Sequence, residues 1–180
     1  MLIEALIKCY YFKVVKVVGL VVALFALFLV AIDYDTKHTW VAGNLSLSVP
    51  ANAVLGGVST KGYYVYVGRV KYGGVFPVHV VAETSWITWH NGTYAYQGTK
   101  SYDILVTSRN SSFEWITSHD GKYERGLVAV GTSTIDELVF VCRAITPVGQ
   151  LPGTLILGLK VCCVSGSTAK YDKYEVLVAR

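Results

Sequence analysis

From residue 63 onward the chain is written in short apolar runs. YYVYVGRV (63–70), FPVHVVAE (76–83), SYDILVTS (101–108), ELVFVCRA (137–144), GTLILGLKVCCV (153–164) and YEVLVAR (174–180) are rich in Val, Tyr, Ile and Phe. Clusters of Gly, Ser, Asn and Thr separate them. Branched and aromatic side chains of this kind suit a pleated, half-buried surface, and no segment after residue 33 repeats its apolar positions at the helical period. The pattern predicts an all-β body of short antiparallel strands in sandwich or prism-like packing.

One stretch breaks that pattern. Val17 to Ile32 is unbroken apolar sequence, with Lys8, Lys13 and Lys16 before it and Asp33 and Asp35 after it. Counted from Val14 as a helix rising about 1.5 Å per residue, it nearly spans a hydrocarbon core of about 30 Å. Residues 1–33 are therefore expected to form a hydrophobic leader that enters the secretory route. A cleaved signal peptide has a shorter apolar region, about 7 to 15 residues, and small residues flanking the cut. Here Leu29 stands two places before Ala31, a poor cleavage site. The expectation leans to an uncleaved signal anchor with its lysines in the cytosol. A signal peptide and a secreted body are the alternative.

Sliding the body along itself exposes a duplication. Trp40-Val41 returns as Trp115-Ile116, Val54-Leu55-Gly56-Gly57 loosely as Val128-Ala129-Val130-Gly131, and Tyr66-Val67-Gly68-Arg69 as Phe140-Val141-Cys142-Arg143. Gly74 with Pro77 matches Gly149 with Pro152, and Tyr102-Asp103-Ile104-Leu105-Val106 matches Tyr174-Glu175-Val176-Leu177-Val178. The offset stays within 72 to 75 residues, which implies two copies of one β unit, 34–107 and 108–180. Pro50 and the pair Gly56-Gly57 are expected to make a tight turn that starts a strand, because proline presets φ and glycine reaches positive φ freely. Arg69 and Arg143 are expected to pair with the acids of the Tyr-acid strands, Asp103 and Glu175. Trp40 and Trp115 are expected to lid the core.

The order Trp-Val, Pro-x-Asn-Ala-Val-x-Gly-Gly, Tyr-Val-Gly-Arg, Gly before Pro, and Tyr-Asp/Glu-x-Leu-Val resembles the DM-nine repeat family of insect and mollusc proteins and natterin-like toxins. The resemblance runs from Trp40 to Val178. It implies a lectin-like recognition role in innate immunity, since sugar-binding members take mannose-like ligands through an acid after the paired glycines, a lysine, and a Gly-Lys-Glu-His stretch. This chain departs at each point. Ser59 and Ser133 stand for the acid, His79 and Thr154 for the lysine, and Tyr94-Ala95-Tyr96 and Gly166-Ser167-Thr168 for the charged stretch. Those substitutes, with the aromatic group Trp86, Trp89, Tyr94 and Tyr96 in SWITWHNGTYAYQG, are the candidate ligand contacts. Half-buried strand is the plainer reading of that aromatic stretch.

Charge and cysteines narrow the picture further. Basic residues exceed acidic ones by four, and Lys8, Lys13 and Lys16 against Glu4 place two of those charges in the leader. The body has no basic run, so nucleic acid is not an expected partner. Glycans, another protein, a second copy of the chain, and the membrane through an uncleaved leader are. Cys142 either bridges to Cys162 or Cys163, leaving an odd thiol, or all three are small buried hydrophobes. The vicinal pair lacks metal-ligand spacing, and His38, His79, His90 and His119 are scattered with no nucleophile to serve, so neither a cofactor, a metal nor an enzyme activity is expected.

Three Asn-x-Ser/Thr sequons at Asn44, Asn91 and Asn110 complete the export signature. Expressed in secretory cells, the chain should show a glycosidase-sensitive mass shift; full-length protein with all three asparagines unmodified would reject the topology.

Overall fold

The computed structural model of the chain describes residues 38–44, 48–81, 86–90, 95–97, 101–164, 167 and 169–180. The expected leader helix lies outside these. Among the described residues no helix is long and apolar enough to cross a membrane.

The body is all-β, in two seven-stranded sheets. The first takes β1 (Thr39–Asn44), β2 (Leu55–Val58), β3 (Tyr64–Lys71), β4 (Val75–Val81), β5 (Trp86–His90), β6 (Ala95–Gln97) and β7 (Ser101–Val106). The second takes β8 (Phe113–His119), β9 (Ala129–Thr132), β10 (Leu138–Thr146), β11 (Gly149–Leu155), β12 (Cys162–Val164), β13 (Lys170–Tyr171) and β14 (Lys173–Ala179). Strand order is β1-β7-β3-β4-β5-β6 with β2 on β3, and β8-β14-β10-β11-β12-β13 with β9 on β10. Both halves thus follow one path, and every described ladder is antiparallel. The run GTLILGLKVCCV, continuous in hydropathy, is in fact β11, a 3-10 turn at Leu157–Leu159 and β12. Hydrophobicity alone cannot separate a strand from an exposed turn that carries leucines.

The core belongs to both halves at once. Val67, Val78, Ile104 and Leu105 from the first pack in one cluster with Val128, Val139, Val141 and Leu177 from the second. The central strands β3 and β10 hold buried residues on both faces at their middles, Val67 beside Gly68 in one and Phe140 beside Val141 in the other. This explains why those runs read as nearly continuous apolar sequence.

Pro50 does open a turn, its carbonyl accepting from Ala53 N–H at 3.0 Å. The glycine pair does not belong to it. Gly56 and Gly57 lie within β2, and neither has positive φ. Glycine is required there for space: a Cβ on Gly56 would overlap the Pro152 ring, and one on Gly57 the Gln150 carbonyl, both on β11 of the other half. The opposite side repeats the arrangement, a Cβ on Gly131 falling 2.6 Å from Val75 and one on Gly74 2.9 Å from Ser133. These glycines let the backbones of the two repeats meet along a seam.

A disulfide joins Cys142 on β10 to Cys162 on β12, Cα atoms 6.0 Å apart, and leaves Cys163 as a buried thiol whose pKa is raised by burial. The intervening β11 passes this crossing at Gly153, where a Cβ would lie 2.6 Å from the Cys163 carbonyl. The first half exchanges the volumes: Gly68 stands at the position of Cys142 and makes room for the methyls of Val78 and Val80. Closing a loop of 20 residues stabilises the second repeat by on the order of 3 kcal/mol, through the unfolded chain.

Gly57→Ala is expected to cost about 2 kcal/mol or more, because its methyl meets backbone that cannot step aside. Gly158→Ala, in the exposed 3-10 turn with nothing within 4 Å of its Cβ, should stay within about 0.5 kcal/mol. Urea unfolding of both variants measures the contrast, and equal losses would show that the seam tolerates a side chain.

Candidate functional site

Where β2 meets β3, the ladder pairs Leu55 with Tyr66 and Gly57 with Val65, skipping Gly56. Where β9 meets β10, it pairs Ala129 with Phe140 and Gly131 with Val139, skipping Val130. Each skipped residue is a β-bulge, which frees a carbonyl from the ladder. A buried carbonyl needs a donor from elsewhere. Arg143 Nη1 donates to the Gly56 carbonyl at 3.3 Å, and Arg69 Nη1 to the Val130 carbonyl at 3.1 Å. Each repeat therefore completes the hydrogen bonding of the other.

The rest of each guanidinium is held within its own repeat. Arg69 Nε donates to Asp103 Oδ2 at 2.9 Å and Arg143 Nε to Glu175 Oε2 at 2.7 Å, acids facing them across the β3–β7 and β10–β14 ladders. Arg69 stacks on Trp40 with its carbon 4.5 Å from the ring centroid, and Arg143 on Trp115 at 4.3 Å. With side chains 16 to 30% exposed, the ion pairs lie between surface and interior. Each cation–π contact adds about 0.5 to 1 kcal/mol. Trp115 Nε1 also donates to the Leu55 carbonyl at 3.1 Å, whereas Trp40 Nε1 has no hydrogen-bond partner among the described residues. The tryptophans pack on the core, each with a ring face covered by its arginine. Sequence reasoning missed Gln150, whose Nε2 donates to Glu175 Oε2 at 2.8 Å. Its place directly after Gly149 in the duplication was the available signal.

Four of the candidate ligand positions, Ser59, His79, Ser133 and Thr154, lie on or beside the strands that meet at this seam. Ser59 bridges to Gly149 and closes the β2–β3 hairpin, its hydroxyl accepting from Tyr63 N–H at 3.1 Å. Ser133, buried, closes β9–β10 and accepts from the N–H groups of Ile135 and Glu137, both at 3.3 Å. Thr154 is 2% exposed on β11. His79 on β4 hydrogen bonds to the Pro152 backbone, but burial dominates and pushes its imidazole down to about 4. In the aromatic stretch, Trp86 and Trp89 fall on β5 and Tyr96 on β6, with Trp89 opposite Tyr96 in the ladder. Tyr94 and Asn91 lie outside the described residues. Asn44 ends β1, and Asn110 is exposed in the turn between β7 and β8.

A β scaffold of this kind is known in other proteins. Residues 60–176 match the family model described as DM9 repeat. No curated protein sequence matches the chain. The crystal structure of the nematode sperm cell motility protein MFP2B has a similar fold, with a TM-score of 0.59 at 11% identity over 81% of this chain and 47% of the other. The chain thus spans about half the length of that protein.

The neutral form of His79 is the one the fold keeps. Unfolded, the imidazole takes a proton near its ordinary value of about 6.5; folded, only near 4. Stability should be full above pH 6.5 and fall as pH drops towards 4, by on the order of 3 kcal/mol, and change no further from this group below that. His79→Thr, which installs the residue found at the matching position 154, should flatten that slope in denaturation measured from pH 7.5 to 4. An unchanged slope would place the titration elsewhere.

Proposed function

The chain belongs to the DM9 repeat family, and we propose that it serves there as a recognition module that binds its partner without the charged mannose site of sugar-binding members. One observation carries this reading. At the positions where the resemblance implies sugar-binding charges, both repeats hold neutral side chains already engaged by the fold: two serine hydroxyls that accept backbone N–H groups, an enclosed threonine and a desolvated histidine. Hydrogen bonds from charged groups contribute about 1.5 to 3 kcal/mol each, so losing two or three weakens monosaccharide binding by orders of magnitude. On this reading the repeats are homologous units related by a pseudo-twofold, displayed outside the cytosol by the leader, and act by binding rather than catalysis. The aromatic hairpin β5–β6 is the contact surface for glycans that present an apolar ring face.

A protein partner is the second reading, favoured by exposed aliphatic side chains. Ile145 is 80% exposed, Ile135 72% and Val148 58%, all at or beside hairpin ends. The fold's use in a sperm cell motility protein is in keeping with a role other than sugar binding.

Calorimetry of the full chain against mannose should register no binding at millimolar sugar. A dissociation constant below about 1 mM, roughly −4 kcal/mol, would show that Ser59, His79 or the aromatic stretch replaces the missing charges. A glycan array then separates the two readings: binding to an extended glycan supports the first, and an empty array the second.

A further inference from the structure

The seam is reciprocal in position but not in residue, and the difference has a direction. Against β11, β2 presents Gly56 and Gly57; against β4, β9 presents Val130 and Gly131. Gln150 faces Gly57 where Val75 faces Gly131, and Gly149 rests on Val58 and Ser59 where Gly74 rests on Ser133 and Thr134. Pro152 and Pro77 occupy matching places in β11 and β4. Each glycine-seam contact that the second repeat offers the first therefore has a positional equivalent within the first repeat itself, although the Trp115 Nε1 bond to the Leu55 carbonyl has none at Trp40 among the described residues.

We infer that the first repeat carries a self-complementary interface whose alternative partner is the first repeat of a second copy of this chain. In such a pair, Gly56 takes the place opposite β4 that Val130 holds within the chain, with no side chain to fit. Gly57 meets Val75 as Gly131 does, and Gly74 rests on Val58 and Ser59 as Gly149 does. Arg69 donates to the Gly56 carbonyl of its partner copy as Arg143 does within the chain. A symmetric dimer needs a surface that reads its own residues in this way. The second repeat is the poorer partner for itself: Val130 would meet Pro152, the ring that a lone Cβ on Gly56 would overlap at the present spacing of β2 and β11. Two chains can thus join through their first repeats when the second repeat leaves the seam, in preference to their second.

The test uses full chains carrying two different tags, co-expressed. Gly131→Leu with Gly149→Leu bars the second repeat from the seam and leaves the first repeat's face intact. These chains should co-purify and sediment at twice the 19.7 kDa of one chain. Gly57→Leu with Gly74→Leu bars the first repeat, and those chains should remain single until Val130→Gly is added, when pairing should appear. Single chains in the first variant, or pairing in the second without Val130→Gly, would overturn the inference. Hydrogen exchange at Val67 and Ile104 reports whether the first repeat stays folded. If it does not, single substitutions on the closed seam decide. Gln150→Val, which imports the first repeat's residue, should lower Tm by no more than about 3 °C, and Gly56→Val, which imports the second's, by at least about 5 °C. The reverse order would overturn the inference as well.

Discussion

Two carbonyl groups organise this protein. A bulge at Gly56 and another at Val130 each take a carbonyl out of its ladder, in a place where neighbouring strands exclude water. An unpaired buried carbonyl costs about 1 to 3 kcal/mol. Arg143 reaches across to one and Arg69 to the other, each aimed by a carboxylate and a tryptophan face of its own half. The two halves cannot part without exposing both carbonyls and unsupporting both arginines.

The seam glycines follow from the same constraint. An arginine that must reach a backbone carbonyl needs that backbone close, and Gly56, Gly57, Gly74 and Gly131 permit the approach by having no side chain to hold it off. Close approach in turn lets Val67 and Val141 share one core, which gives a body of modest size the buried apolar surface it needs. Two of the positions where the resemblance implies sugar-binding charges, Ser59 and Ser133, lie beside this seam. Their hydroxyls accept backbone N–H groups of their own hairpin turns, Ser59 from Tyr63 and Ser133 from Ile135 and Glu137.

Much of this was legible in the chain. Period-two runs of branched and aromatic residues specified strands, because a pleat places alternate side chains on opposite faces whatever surrounds it. The offset of 72 to 75 residues pointed to two like units, and the Tyr-acid strands to Asp103 and Glu175 as the partners of Arg69 and Arg143. Those are properties of local periodicity and of matched charge, which survive without coordinates. Which acid meets which arginine, Asp103 with Arg69 and Glu175 with Arg143, was left to the fold.

Other features depended on which backbones meet in space. Gly56-Gly57 reads as a turn in one dimension, since glycine's freedom in φ is visible in any sequence, while the absence of room for a Cβ exists only once β11 lies against it. Cysteine spacing left two bridges and a reduced state open, and the fold, which lays β11 between β10 and β12, joins Cys142 to Cys162 and leaves Cys163 buried as a thiol. His79 is an ordinary histidine in the sequence and an enclosed, neutral one in the fold. The sequence by itself determined the strands, the duplication and the set of charged groups that pair, because each rests on neighbours along a strand or on the repeat spacing. Tertiary structure alone decided the seam, the bridge and the arginine-to-carbonyl exchange, because distance between chain segments is set by packing and not by order along the chain.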